Sequence, residues 1–559
     1  MAAALGATQA GLASAQDAGA LQKQIEQDLK AAPAAREELK PKAAPTLGTA
    51  RPGAVTVTVQ RFEFRGNTRL DTVQLQALVA PYLKQTLDFD QLRRIAEIVG
   101  DAYRQAGWIV RVILPPQDIR DGVVTLEIVE ATFGKPVIRG SQSRVAPQYI
   151  ERLVTRAQPA GEPVQTRRID RALLLLGDVP GVSAAGNLVE GQQPRETDLI
   201  VGVDDAAGFS GNVAADNAGA RSTGRGRVVA SVALNSPLRL GDQFSVTALK
   251  SQGSDYARLG YTVPLGYDGL LVGANVTRLT YGLIGDFASL SGNGSAHSTG
   301  LTLSYPWLRS QRTNLYVSAA YDGKRFDNRA NGATSSNYAI DAYNLGFFGN
   351  HVDDWAGGGY TSASLNVVHG MVDLDGSPNR ATDASGPATA GGYTRVSLGL
   401  QRLQNVATDL SAFVSVALQR ANRNLDSSER LYLGGSNGVR AYPTSEGGGA
   451  EGYTFTAELR RKLGDVTLTG FYDYGRVTAY KNNAYADGSG RLNAGANPNV
   501  YALSGYGAAA AWQANKATSL RATLARRLGT SPIANPTTGL DGDGTKQLTR
   551  FWVNVAFAF

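Results

Sequence analysis

The chain has 559 residues, too many for one compact domain, so two to four domains are expected. It carries 55 Lys and Arg against 48 Asp and Glu, a formal net charge of +7, but the bases are spread along the chain beside the acids. Nucleic-acid binding needs them gathered on one face with stacking aromatics, so no nucleic acid is expected as a partner. There is no cysteine, which excludes disulfides, thiol catalysis and thiolate metal sites.

Hydrophobic residues make up 43% and the mean hydropathy is -0.19. No apolar run approaches the roughly 18–20 residues of a membrane helix. If the chain spans a membrane, it must do so as a closed barrel, in which only alternate side chains meet lipid and mean hydropathy stays modest. The 65 glycines and 23 tyrosines suit tight turns, small lumen residues and aromatic girdles.

Residues 1–15, MAAALGATQAGLASA, are small and apolar and end in Ala13-Ser14-Ala15, the pattern of a signal-peptide cleavage site. The usual basic start is missing, so either the true start lies upstream or the N-terminus is shortened. Residues 16–31 are expected to form a short helix, with Leu21, Ile25 and Leu29 at i, i+4 and i+8 as one thin apolar stripe. Alone it would be marginal, so it must dock. Residues 32–54 hold Pro33, Pro41, Pro45 and Pro52 among alanines, a semi-rigid linker.

From Val55 the pattern becomes a strand through Phe62 and Phe64. Helices are predicted over 71–83 and 89–106, the second with Leu92, Ile95, Ile98, Val99 and Tyr103 on one face. Strands are predicted at 108–114 and 123–129. Residues 55–131 thus read β-α-α-β-β. Residues 132–206 repeat the order more loosely, with a strand at Lys135–Ile138, helices at 147–156 and 167–177, and a closing strand at Leu199–Val203.

Residues 207–559 alternate throughout, in short stretches separated by Gly, Asn, Asp, Ser and Pro. Val228, Ala230, Val232 and Leu234 oppose Arg227, Ser231 and Asn235. Tyr453, Phe455, Ala457 and Leu459 oppose Thr454, Thr456, Glu458 and Arg460. Phe551, Val553, Val555, Phe557 and Phe559 make a lipid-facing row at the C-terminus. A soluble sandwich also alternates, but the length of the alternating region and the strand-ending Phe559 favour a transmembrane antiparallel β-barrel. The region allows about 12 to 18 strands at roughly 10 residues each, and 16 is the expected number.

The segment Leu431–Pro443, with Val439-Arg440-Ala441-Tyr442, resembles the inward-folded loop motif V-R-G-Y/F of the POTRA-plus-barrel superfamily. Phe471-Tyr472-Asp473-Tyr474-Gly475 resembles its F-x-D-x-G strand motif. Asp216-Asn217-Ala218-Gly219 and Tyr305–Ser310 are similar to barrel segments of the TpsB transporters of two-partner secretion. The order helix, Pro-rich linker, two α+β modules, barrel matches that family over nearly the whole chain. One departure is Ala441 where the commoner motif has Gly.

The resemblance implies a fold and a function. The fold is a plug helix (16–31), POTRA modules at 55–131 and 132–206 in the periplasm, and a barrel at 207–559 in the outer membrane of a Gram-negative bacterium. The function is export, without ATP, of one large partner protein that carries an N-terminal secretion domain. Outer-membrane lipid or lipopolysaccharide and the barrel-assembly machinery are further expected partners, and no cofactor is expected. The alternatives are a barrel-assembly factor, which usually has more modules and no plug, and a passive porin, which lacks periplasmic domains. An enzyme is the most remote reading.

Alternation puts Asp473 on the lumen side with Thr467, Thr469, Phe471 and Gly475, and Glu458 inward on the strand before. From spacing alone, Arg440 as a solvated loop cation is the simpler reading. The resemblance instead favours an Arg440–Asp473 pair inside the pore, with Glu458 as a secondary carboxylate. The modules' exposed sheet edges could accept an extended client as an added strand. His297, His351 and His369 are scattered without metal-ligand spacing, so no metal site is expected.

Overall fold

The computed structural model describes residues 17–30, 56–140, 144–485, 490–492 and 498–559. The expected signal remnant (1–15) and linker (32–54) lie outside the described residues. The described chain runs from a helix, α1 (Ala18–Lys30), through two α+β modules to a closed barrel of 16 antiparallel strands.

The first module contains β1 (Thr56–Thr58), β2 (Arg61–Arg65), α2 (Thr72–Val79), β3 (Thr86–Asp88), α3 (Phe89–Gln105), β4 (Val110–Ile113) and β5 (Val123–Glu130). β5 is the centre of the sheet, parallel to β2 and antiparallel to β4. Capping boxes start both helices, Asp71 with Gln74 and Asp88 with Gln91, satisfying N–H groups that a helix leaves free. The helix predicted over 71–83 stops at Val79 and continues as a 3-10 turn, Ala80–Tyr82, because Pro81 has no N–H to give. Leu92, Ile95, Val99 and Tyr103 are core, packed on Phe62, Val124, Leu126 and Ile128. The short pairing of β1 with β3 is an addition to the expected order.

The second module contains β6 (Thr132–Arg139), α4 (Pro147–Ala157), α5 (Thr166–Gly177), β7 (Val182–Glu190) and β8 (Glu196–Asp205). β8 lies between β6, parallel, and β7, antiparallel. β7 has no counterpart in the sequence reading: its VSAAGNLVE lacks alternation, and its Gly186 faces the Leu173 side chain of α5. The second module also grips the barrel. Asp178 takes Arg309 through two bonds of 2.7 and 2.8 Å. Arg171 donates to the Pro306 carbonyl (2.9 Å) and to Asp268, and Arg152 to the Tyr267 hydroxyl (2.7 Å).

The barrel runs from Phe209–Asp216 to Thr549–Ala558, which pair with each other to close it. Strand parity sets its two faces. Val228, Leu234, Leu301, Leu303, Leu459, Phe551 and Phe557 are exposed outward. Arg227, Thr469, Asp473 and Trp552, on the opposite parity, are buried toward the pore. The closing seam has five Cα pairs, from Asn212 with Ala558 to Asp216 with Asn554. Asn217 extends it, donating to the Phe551 carbonyl and accepting from the Val553 N–H, both at 2.9 Å. At its base, Gly211 and Phe559 exchange backbone bonds of 2.9 Å, and the Phe559 ring packs near Phe209.

One carboxylate ties the first module together. Glu130, at the end of β5, accepts from the Thr68 N–H (2.7 Å), the Arg69 N–H (2.8 Å), the Thr68 hydroxyl and the Tyr103 hydroxyl (3.3 Å). Burial opposes its charge, but these donors outweigh it and hold the carboxyl below its ordinary value. A depressed carboxyl contributes stability above its unfolded-state value and loses it as pH falls through the folded one. Glu130→Gln should therefore destabilise the module by about 1–3 kcal/mol at neutral pH. Hydrogen exchange over residues 61–130 of the intact protein should show it, with the difference from the parent shrinking below the usual carboxylate range. A difference that holds constant into acid would show that the charge is not what matters.

Candidate functional site: the filled pore

Two segments fill the pore. The first is the connection between the strands Leu410–Ala421 and Glu451–Leu463, which folds inward. Leu433, Val439, Ala441 and Tyr442 are each at most 1% exposed and form a small core with wall residues Phe471, Val477, Leu503 and Ala525. At Gly475 a Cβ would lie 2.7 Å from Leu433, so a larger residue there would push the loop off the wall. The departure at Ala441 has a matching feature opposite. A Cβ on Gly505, in the strand Val500–Gln513, would lie 2.5 Å from the Ala441 methyl. The extra carbon in the loop is accommodated by its absence in the wall, and Ala441 does not need a positive φ.

This packing delivers Arg440 to its partners. Its Nε donates to Asp473 at 2.8 Å, its Nη2 to the other Asp473 oxygen at 2.7 Å, and its backbone N–H to Asp473 at 3.1 Å. Its Nη1 donates to Glu458 at 2.8 Å. The guanidinium plane lies over the Phe471 ring, 3.5 Å from its centroid. Thr456 adds a bond to Asp473 (3.0 Å), and Arg460 binds the second Glu458 oxygen (2.8 Å). Arg440, Asp473 and Glu458 are 5, 1 and 8% exposed, so water screens them little. A planar fork meeting a carboxylate with two parallel bonds fixes orientation as well as distance, which a lysine could not do.

The second segment is α1, which lies inside the barrel. Leu21 and Ile25 are 7 and 1% exposed and pack, with Leu29 beside them, on wall residues including Tyr256, Leu279, Phe326 and Ile340. The stripe expected to dock has its apolar counterpart in the wall. Polar bonds surround it. Asp17 caps the helix by accepting from the Ala20 N–H (2.8 Å) and also accepts from the Ser427 hydroxyl (2.8 Å). The Ala18 N–H donates to Asn328 (2.9 Å), and Ser445 donates to Gln24 (2.8 Å). Asp28 accepts from Arg227 on the wall (2.7 Å) and from Asn437 at the tip of the inward loop (3.0 Å). Arg227 also binds Asp216 on the first barrel strand at 2.8 Å.

Several pore residues were not singled out from sequence. The Trp552 indole donates to the Arg440 carbonyl at 2.8 Å, so the last strand holds the loop as well. Glu429, 1% exposed, is bonded to Lys324 (2.7 Å) and Arg395 (2.9 Å). Glu446 in the loop accepts from the Gly542 N–H at 3.0 Å, while Arg527 and Arg550 hold Asp541 and Asp543 of the same outer segment. Parity, which set Arg227 opposite the lipid-facing row, could also have marked Lys324 and Arg395 as pore-facing. Nothing local marks their partners. Among the described residues no group of acids, histidines or cysteines could hold a metal ion.

The comparisons fit this geometry. The chain is 25% identical to the "Heme/hemopexin transporter protein HuxB" of Haemophilus influenzae (strain 86-028NP) over 430 residues, 75% of each chain. It is 24% identical to the "Outer membrane transporter CdiB" of Dickeya dadantii (strain 3937) over 443 residues, 76% of this chain and 77% of the other. The fold is shared with the solved structure of CdiB from Escherichia coli, with TM-score 0.69 and 19% identity over 97% of this chain and 98% of that one. BamA from Haemophilus ducreyi lacking POTRA domains 1-3 also shares it, with TM-score 0.53 and 15% identity over 90% of this chain and 100% of that one. The model of the ShlB-type POTRA domain matches residues 57–131. The model described as haemolysin secretion/activation protein ShlB/FhaC/HecB matches residues 195–497, more than half of the chain, and the chain belongs to that family.

Proposed function

We infer that this protein sits in the outer membrane and exports one large partner protein in two-partner secretion. The observation that carries the reading is a wide barrel whose pore is closed by an inserted helix and loop, with two α+β modules at its periplasmic mouth. A passive porin has no use for such modules. In this reading the modules take up the unfolded client, its backbone adding to an exposed strand such as β7 or β2. The helix leaves, the client threads the barrel, and folding outside makes the passage one-way. The partner's N-terminal secretion domain and the barrel-assembly machinery for the chain's own insertion belong to the same proposal.

The roles of the pore residues follow. Arg440 holds the loop to the wall through Asp473 and Glu458. The plug is held by bonds that can exchange with water, Asp28 most of all, so that it can be released. Phe559 at the seam base serves barrel assembly by presenting an aromatic on the lipid-facing row.

Three outcomes are expected. Deleting residues 56–205 should abolish surface appearance of the partner while the barrel still inserts, as read by heat-modifiable migration. Normal export without the modules would exclude them as the client receptor. In planar bilayers, Asp28→Ala should raise the open probability of the channel several-fold, because it releases the helix from both Arg227 and Asn437. Conductance traces like those of the parent would mean the apolar stripe alone retains the helix.

The third outcome concerns the loop anchor. Arg440→Ala leaves buried Asp473 without its cation and Glu458 with Arg460 alone, whereas Asp473→Ala leaves Arg440 with Glu458. Removing one partner from a buried pair costs about 3–5 kcal/mol. Arg440→Ala should therefore be the more damaging for export and for protection of the loop from protease. The double variant should fall well short of the summed losses. Strict additivity in secretion rate would mean the two residues act separately.

A further inference from the structure

Three basic side chains stand side by side on the outside of the barrel. In the strands Leu270–Gly282, Asn293–Arg309 and Thr313–Ala330, Arg278 is the Cα partner of His297, and His297 is the partner of Arg325. Directly opposed residues of antiparallel strands lie about 4.5–5.5 Å apart, so the three form a continuous row. All three are exposed. They share strand parity with Val276, Leu301, Leu303 and Ala319 on the outward face.

Their height is set by the strand. His297 is ten residues above Trp307, an exposed aromatic at the periplasmic end of the same strand. Ten residues at about 3.4 Å, tilted by roughly 35–45°, rise about 25 Å, the height of the apolar band of an outer-membrane barrel. Tyr321, four residues below Arg325 and level with Leu301, packs against Tyr343 with ring centroids 5.3 Å apart on the outward face. The row therefore lies at the headgroups of the outer leaflet.

The two arginines flank His297 on one face, and among the described residues neither is paired with a carboxylate. The nearby outward acids are engaged elsewhere: Asp255 with Lys250, Asp327 with Arg329, Asp341 with the Tyr321 hydroxyl. Asp373 stands two strands beyond Arg325, across Ala339. Just above the row, Thr280 and Ser295 are Cα partners and offer hydroxyls on the same face. Just below it lie Val276, Leu301 and Leu303, the start of the aliphatic band. Two guanidinium groups flanking an imidazole, with hydroxyls above and hydrocarbon below, form the complement of an amphiphile with a phosphorylated sugar head and acyl chains.

We propose that Arg278, His297 and Arg325 form a binding site for the phosphate-bearing headgroup of an outer-leaflet glycolipid of the lipid A class. Arginine forks suit phosphate because two N–H groups meet two oxygens in one plane. The acyl chains lie along the strip below, so the site holds an annular lipid at one fixed place on the barrel wall. The proposal rests on the outer-membrane reading above.

The test uses the full chain purified in detergent, with native mass spectrometry reading the bound lipid. The probes are bis-phosphorylated lipid A, the same lipid enzymatically dephosphorylated, and inorganic phosphate. The parent should hold phosphorylated lipid A about tenfold more tightly than the dephosphorylated form. Arg278→Gln with Arg325→Gln should erase that preference, and Lys250→Gln, which removes an outward cation already paired to Asp255, should keep it. Inorganic phosphate should not displace the lipid at equal concentration. An undiminished preference in the double variant, no preference in the parent, or displacement by phosphate alone would each overturn the site. Insertion is read separately by heat-modifiable migration. A chain that never forms a barrel would overturn the outer-membrane reading itself, whereas a formed barrel without lipid preference would overturn only this site.

Discussion

Hydrocarbon offers no hydrogen bonds, so each backbone N–H and C=O that crosses the bilayer must be satisfied by another strand. A sheet meets that demand only by closing on itself, and here the closing pair is the short seam between Phe209–Asp216 and Thr549–Ala558. Closure at 16 strands leaves a lumen too wide for the wall's own side chains to fill. The remaining architecture answers that lumen. A loop and a helix are drawn in, and each brings an apolar strip for an apolar part of the wall and a set of charges for a charged part.

The charges explain why these insertions keep one position. A cation at 5% exposure has lost most of its hydration, and only a matched acceptor compensates for it. Arg440 finds three such oxygens on two neighbouring strands, and its carbonyl finds Trp552 on the last strand. The inward loop thereby touches strands on the late side of the barrel. Through Asn437 and Ser445 it also touches α1, and α1 through Asp28 touches Arg227 on the early side. Loop, helix and both flanks of the seam are thus linked by a chain of polar contacts around the lumen.

What was readable beforehand follows from range. The two-residue period of a strand is local, so the outward rows at Val228–Leu234 and Phe551–Phe559 and the inward Asp473 could be read from the sequence. The helical face of Leu92, Ile95, Val99 and Tyr103 is local in the same sense. Arg440 and Asp473 are 33 residues apart, and the spacing alone favoured a solvated arginine; the family motif pointed to the pair. Asp28 meets Arg227 across 199 residues and Asn437 across 409, and nothing near an ordinary helix acid announces either. β7 was missed for another reason: small residues fill it, because α5 lies close over Gly186, and small residues carry no hydropathy rhythm.

The grip of the second module on the barrel is one-sided. Its bonds to Tyr267, Asp268, Pro306 and Arg309 fall on a turn and a strand end of the early part of the barrel. The module is therefore bracketed under one half of the barrel rim instead of capping it like a lid. Among the described residues, the late half of the rim, below the strands that hold Glu458 and Asp473, has no such bracket. In the proposed export, a polypeptide carried on the module would enter the lumen from one side of the rim and not along its axis.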